Sequence, residues 1–408
     1  MPGSPAPPQT FTLRGMRSVH GSVTSFGRVG GKPVAFTEAH VTAGHEAQSL
    51  LAFMRLAENV PTDGRSFQNA MRAYSGMENW FYVGRKDIAW LQSGIFPRHA
   101  KGTDLDLPIW GTGPYDWRGL LPASANPREV DPKQGYLISW NNKEAPGWRS
   151  PPATWSAGPV HRALLLARPL RIILAHRKAT LVDVAQIAGR AATADLRGTE
   201  IFSWLRRASG RSKDPHVNAA LDTLNAWARA GAQRRDSNGD NVDESSAAIA
   251  LMDAWWPRLV RGIFEPALGR DLVNQIADVV NPLPEPATST FFYDGWWNYV
   301  QKDLRRVLHR RERGRFSRAY CGRGSRARCR GILQTTLADA FAAVARSQGS
   351  DDMSKWTVKA TCPQTTPPSC DQIVPTTAGA VDTPPFPFHN RGTFHQIDEI
   401  GGPPSNAR

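Results

Sequence analysis

The sequence predicts an α+β protein, and three observations predict it. Apolar and polar residues alternate over residues 17–38, and two further strands are read at Asn79–Val83 and Ile88–Gln92. Apolar residues at helical spacing dominate residues 180–345, and a Pro-, Gly- and Trp-rich stretch without a period lies in between.

The first alternating stretch turns at Gly30-Gly31, which predicts a hairpin pairing Val19–Phe26 with Val34–Thr37. Ala47, Leu50, Leu51 and Met54 then recur at helical spacing until Pro61-Thr62-Asp63-Gly64 ends the pattern. A second hairpin joins Asn79–Val83 to Ile88–Gln92 through the polar bend Gly84-Arg85-Lys86-Asp87. From Pro97 to Asp131 nothing sustains a period, so a long ordered loop is expected, of the kind that often carries function. Tyr136–Trp140 reads as a further strand.

The second half is helical. Thr180 is placed to cap a helix over Leu181–Ala192, and another is expected over Val217–Ala232. Ser245 or Ser246 caps a helix whose apolar positions Ile249, Met252, Trp256, Val260 and Ile263 advance by three or four. Trp255, Leu259 and Phe264 widen that stripe, so burial on most sides follows. The pairs Trp255-Trp256 and Trp296-Trp297 read as core rather than ligand platforms. Pro282, Pro284 and Pro286 interrupt the pattern, Trp296–Leu308 resumes it, and Thr335–Ala345 gives the last helix. From Thr357 the chain is Pro/Thr-rich and extended, and no internal repeat is present.

At 408 residues, with 40% hydrophobic side chains, 14 Trp and 16 Phe, the chain can build a substantial core. No run is long enough to cross a bilayer, and Met1–Pro8 has neither the charged start nor the apolar segment of a signal peptide. A formal charge of +14 permits nucleic-acid binding. The densest basic run, Arg305–Arg330, mixes Arg with Gly and Ser and does not alternate with stacking aromatics, so it reads as a solvated face. The four cysteines fall in close pairs, Cys321 with Cys329 and Cys362 with Cys370. Two local disulfides in an oxidising compartment fit that spacing, and four free thiols are the alternative. Zinc is disfavoured, because neither pair has CxxC spacing or a clustered His.

The segment Gly135-Tyr136-Leu137-Ile138-Ser139-Trp140-Asn141-Asn142-Lys143 places two side-chain amides at a bend after aromatic residues. Taken alone, Asn141-Asn142 reads as a turn. With Asn79-Trp80-Phe81-Tyr82, Trp110-Gly111-Thr112-Gly113 and Tyr115-Asp116-Trp117-Arg118-Gly119-Leu120-Leu121-Pro122 it resembles the β chain of penicillin acylases, N-terminal-nucleophile hydrolases of linear amides. Arg17-Ser18-Val19-His20-Gly21 and Phe388-His389-Asn390-Arg391-Gly392-Thr393-Phe394 extend the resemblance towards both ends.

The resemblance implies a partial four-layer αββα N-terminal-nucleophile hydrolase fold with a largely helical insertion. It divides the chain into a lead (1–16), a sheet-rich core part (17–162), a helical region (163–350) and an extended segment returning to the core (351–408). It implies hydrolysis of small acyl amides, such as acyl side chains of β-lactams or N-acyl homoserine lactones. Asn141 would be the side-chain oxyanion donor, although Ser139 stands where the family motif has a leading Asn, and Arg162 would shape the field near the reacting centre.

In this family the nucleophile is the first residue of the mature chain, so the resemblance also implies that the serine nucleophile, the β-chain start and the α chain come from elsewhere. The isolated chain is then expected to be inactive. The family's interchain calcium is doubtful here because Pro152 occupies a ligand position, and no other cofactor is implied. No nucleic-acid or membrane partner is expected, and the family likeness with paired cysteines implies a periplasmic or secreted protein.

The acidic run Asp236–Glu244 departs from an EF-hand at Asn241 and Ala247, leaving an acidic turn as the alternative to a calcium loop. His20, His40, His45 and His161 are irregularly spaced and receive no catalytic role. A non-catalytic remnant and a basic nucleic-acid-binding protein remain as other functional readings.

Overall fold

The computed structural model describes residues 15–58, 61–105, 107–148, 160–238, 240–279, 295–312, 318–360, 372–373, 386–387 and 400. Contacts divide the chain into two compact units, residues 1–137 with 144–155 and 400–408, and residues 138–143 with 156–399. Described helices and antiparallel sheets together give an α+β chain whose second half is largely helical.

In the first unit, β1 (Arg17–Ser18), β2 (Gly21–Val29) and β3 (Lys32–Glu38) form a three-stranded antiparallel sheet. The expected hairpin is present, with pairing carried to the Val29↔Lys32 rung and a register shift between Val23 and Ser25. Gly30 and Gly31 turn it with φ of 57° and 79°, the left-handed geometry that a Cβ disfavours.

Helix α1 (Gln48–Ala57) follows, as the spacing predicts. The cluster after it, expected only to end a helix, also starts one, α2 (Gly64–Met71). Asp63 accepts from the Ser66 amide at 2.7 Å and Ser66 Oγ accepts from the Asp63 amide at 3.0 Å, a reciprocal cap that supports a helix too short to show a period.

Strands β4 (Asn79–Val83) and β5 (Ile88–Gln92) pair from Asn79↔Gln92 to Val83↔Ile88, as expected. The Pro97–Asp131 stretch departs from the expected loop at its end, where β6 (Arg128–Val130) joins β5 as a third strand. Phe67, Met71, Leu91 and Ala52 form a small core beneath this sheet, flanked by Tyr74, Trp80 and Tyr82.

Tyr136–Trp140 is not a strand: no described residue forms a ladder with it. An aromatic run has the propensity for extended structure, but a strand exists only where a neighbour takes its backbone hydrogen bonds.

The second unit contains α3 (Val160–Leu174), α4 (Leu181–Thr193), a π-helical turn (Arg197–Ile201), α5 (Phe202–Ser209), α6 (Pro215–Arg229), α7 (Ser246–Leu268), α8 (Arg270–Val279), α9 (Trp296–Val307) and α10 (Arg326–Gln348). Two short strands, β7 (Gln372–Ile373) and β8 (Phe386–Pro387), pair late in the chain. The Thr180 cap forms as expected, accepting from the Asp183 amide at 3.2 Å while Asp183 accepts from the Thr180 amide at 2.7 Å. Ser245 occupies the position before α7 but its hydroxyl makes no cap; Ser246 Oγ donates instead to the Asp243 carbonyl at 2.5 Å.

Trp255, Trp256, Trp296 and Trp297 are fully buried between α7, α9 and α10, which confirms their reading as core. Helix α10 begins at Arg326 rather than Thr335. Ser325 caps it, and Cys329 and Leu333 are buried, so the Arg-rich sequence before Thr335 masks a genuine inward stripe. Cys321 and Cys329 are joined in a disulfide, and Asp303 accepts from the Tyr320 and Cys321 amides beside it. Cys362 and Cys370 lie outside the described residues. Among those described, no helix is long and apolar enough to cross a membrane.

Candidate active site

Asn141 sits at φ 57° in the left-handed region, where Asn is among the least disfavoured of residues with a side chain. Its neighbour Asn142 folds back so that Oδ1 accepts from the Trp140 amide at 3.0 Å, and its Nδ2 donates to the Lys143 carbonyl at 3.2 Å. Asn142 therefore spends its amide on holding the bend, while Asn141 is exposed. The turn reading of the dipeptide is thus correct for the backbone, and it leaves the Asn141 side chain on the outside of the bend.

Arg162 lies in the first turn of α3 and is almost fully buried. Its guanidinium carbon stands 4.7 Å from the centroid of the Trp140 ring, within the range of a cation–π contact. Burial lowers its pKa to about 10, so it remains charged at neutral pH. The structure thereby places one predicted site residue, Arg162, against the residue that precedes the other, Asn141. The buried Arg162 cation on α3 and the exposed Asn141 amide on the bend could supply charge and a hydrogen-bond donor to a developing oxyanion, provided a carbonyl is held within about 2.7–3.1 Å of the amide.

Four further residues surround the start of α3: His161 and Arg168 on the helix, Glu200 and Gln301 from later in the chain. Glu200, in the π-helical turn, is buried and receives Arg168 of α3 in a two-pronged ion pair, with Arg168 Nη2 at 3.1 Å from Glu200 Oε2 and Nη1 paired with Oε1. His161 Nδ1 lies 3.7 Å from Glu200 Oε2. The Glu200 carbonyl accepts from Gln301 of α9 at 3.1 Å, tying the same turn to the Trp-rich core. The (i, i+7) spacing of buried His161 and exposed Arg168 on α3 puts them on one face of the helix but does not name a partner 32 residues from Arg168.

The remaining candidates resolve into structure. In the acidic run, Asp236, Asn238, Asp240 and Asp243 accept from the backbone amides of Asn241, Asp240, Val242 and Arg235. This is the self-bonded acidic turn of the alternative reading. His20 pairs with Asp116 at 2.9 Å, His40 lies 3.7 Å from Glu38, and His45 contacts Gln48. Among the described residues no group of three or more His, Cys, Asp or Glu could hold a metal ion. Position 152 lies outside those residues, and a proline there supplies no carboxylate for the calcium that the resemblance implies.

A profile of the penicillin amidase family matches residues 4–396. The chain belongs to the penicillin amidase family. Penicillin G acylase of Escherichia coli is 33% identical over 135 residues, which are 33% of this chain and 15% of that protein. The acyl-homoserine lactone acylase QuiP of Pseudomonas syringae pv. syringae is 30% identical over 100 residues, covering 24% of this chain and 12% of the relative. The solved thermostable penicillin G acylase from Alcaligenes faecalis matches with a TM-score of 0.65 at 21% identity, over 85% of this chain and 59% of that one. The penicillin amidase fold thus extends over most of this chain, which corresponds to little more than half of that structure.

Proposed function

We propose that this chain is the Asn141-bearing part of an acylase that cleaves small linear amides, with acyl side chains of β-lactams or N-acyl homoserine lactones as the substrate class. The observation that carries the reading is the buried Arg162 guanidinium seated on Trp140, the residue immediately before exposed Asn141. Family membership supports the reaction type, and the two named relatives support the two substrate classes.

In this scheme the nucleophile comes from polypeptide outside the 408 residues. A terminal hydroxyl adds to the amide carbonyl carbon and passes its proton to its own α-amine. The carbonyl oxygen takes the negative charge, which the Asn141 amide and the Arg162 field stabilise. Collapse breaks the C–N bond, the α-amine returns the proton to the leaving amine, and water then hydrolyses the acyl ester. Exposed apolar side chains in the first unit, among them Val19, Phe26, Leu50, Met54 and Leu107, support further polypeptide packing on it. The buried Cys321–Cys329 disulfide supports an oxidising compartment such as the periplasm.

The test is hydrolysis of chromogenic phenylacetyl and long-chain acyl anilides by the purified chain, with and without a co-expressed α chain and β-chain start. Activity is expected only with the added polypeptide, and Asn141→Ala lowers kcat by about 100- to 1,000-fold. Silence with the added polypeptide favours a non-catalytic remnant. Retention on nucleic acid that weakens steeply with salt favours the basic-protein reading.

A further inference from the structure

Glu200 belongs to none of the motifs that carry the family likeness, yet its carboxylate is at the centre of the contacts that seat α3. It is buried in a π-helical turn, a local widening that recurs at functional sites because it redirects a side chain or carbonyl out of the regular ladder. Its two oxygens face α3. One pairs with Arg168 Nη1, and the other lies 3.1 Å from Arg168 Nη2 and 3.7 Å from His161 Nδ1. His161 immediately precedes Arg162, and Arg168 lies almost two turns further on, so Glu200 holds the helix at two points on either side of the Arg162 turn. Gln301 of α9 anchors the Glu200 carbonyl, so the carboxylate is mounted on the buried core.

We infer that Glu200 is a positioning residue for the amide-cleaving site: through His161 and Arg168 it fixes the angle of the α3 start, and so holds the Arg162 guanidinium over Trp140 next to Asn141. This rests on the proposed role of Arg162 in the reaction. The geometric part, from Glu200 to the Arg162–Trp140 stack, stands on its own contacts. A cation–π contact is weakly directional in the ring plane, so the placement of the helix backbone that carries Arg162 contributes to where the guanidinium sits on Trp140. Arg168 is the better of the two handles because its fork fixes both distance and plane, whereas His161 contributes at longer range.

The full chain labelled with 5-fluorotryptophan reads the geometry directly, with the Trp140 resonance assigned from Trp140→Phe. Arg162→Met moves that resonance by removing the cation above the ring. Glu200→Gln, which keeps shape and removes charge, is expected to move it in the same direction, and Glu200→Asp to return part of the shift. Asp222→Asn, which breaks an exposed pair with Arg206 elsewhere in the same unit, leaves it in place. Should Glu200→Gln not fold, Arg168→Gln removes the same tether from the exposed side of the contact and carries the same expectation.

A Trp140 resonance unmoved in Glu200→Gln or Arg168→Gln overturns the inference. In the enzyme reconstituted with the added polypeptide, Glu200→Gln is expected to lower kcat on the order of tenfold with KM within about twofold, the scale at which loss of an orienting partner is felt. An unchanged kcat overturns the positioning role even if the resonance moves. If the resonance moves and no reconstituted form depends on Asn141, the functional reading fails and the Glu200 tether survives it.

Discussion

Removing one carboxylate from the ion quartet of the helical unit, in which Asp195, Arg197 and Arg234 are buried and Asp253 reaches solvent, tests how that unit is held together. Asp195 is fully buried and accepts from the Arg197 amide at 2.9 Å, from Arg197 Nε at 3.0 Å and from Arg197 Nη2 at 2.6 Å. Arg197 Nη2 also reaches Asp253 Oδ1 at 2.5 Å, and Arg234 grips Asp253 through both Nη atoms at 3.1 and 3.0 Å. Burial alone would pull the Arg197 pKa down, but Asp195 and Asp253 outweigh it and raise it, so the guanidinium stays charged.

With two carboxylates and two guanidiniums the quartet is neutral. Asp195→Ala leaves two buried cations sharing Asp253, and the expected cost is about 3–5 kcal/mol. Asp195→Ala/Arg197→Met removes a matched pair and leaves Arg234 with Asp253, so it should recover more than half of that loss. Urea unfolding followed by far-UV circular dichroism measures both, and for a unit of this size the single change corresponds to roughly 10 °C in Tm. A single variant within about 1 kcal/mol of wild type, or a double variant no better than the single, refutes the account.

Asp243 supplies a pH test. Burial, the largest influence, raises its pKa from 3.8 to about 6 despite the hydrogen bond from the Arg235 amide. The folded form therefore holds a proton that the unfolded form has lost, so stability falls as pH rises from about 4 to 6 and levels off above. Full development of that difference is worth up to about 3 kcal/mol. Asp243→Asn should be more stable than wild type at pH 7.5 and indistinguishable from it at pH 4, and the opposite order would sink the reading. Thr180→Ala removes the α4 cap and should cost about 1 kcal/mol in thermal unfolding, with Thr180→Ser close to wild type. Cys321→Ser/Cys329→Ser opens a loop of sequence separation 8 and should cost about 2.5 kcal/mol, measured against wild type under non-reducing conditions; no loss would show that the loop is held without the bond.

Local chemistry carried several elements directly. Gly30-Gly31 between alternating strands, the Thr180 cap and the apolar stripe from Ile249 to Phe264 each have one low-energy local solution, and each forms as read; the reciprocal bond from Asp183 is added by the structure. The Asn141-Asn142 bend is of the same kind, since a left-handed Asn followed by an amide that caps the preceding backbone N–H needs nothing beyond the dipeptide and Trp140. Penicillin amidase membership was legible too, because dispersed Trp, Gly and Asn blocks keep their order along the chain.

What the tertiary structure decided concerns groups that need a partner from far along the chain. Tyr136–Trp140 has strand propensity but no described ladder, and Arg128–Val130 lacks strand length but gains β5 beside it. The Arg-rich approach to α10 becomes a helix because Cys329 and Leu333 find a core to enter. Arg162 looked like one of several arginines near a helix start. Its seat over Trp140 comes from α3, and α3 is set by Glu200 in a π-helical turn that no sequence period announces. Sequence by itself determined the capped helices, turns and buried stripes, whose energetics act over a few residues. Folding alone decided which charges are buried together, because the desolvation of an ion is offset only by a partner held in place by the rest of the chain.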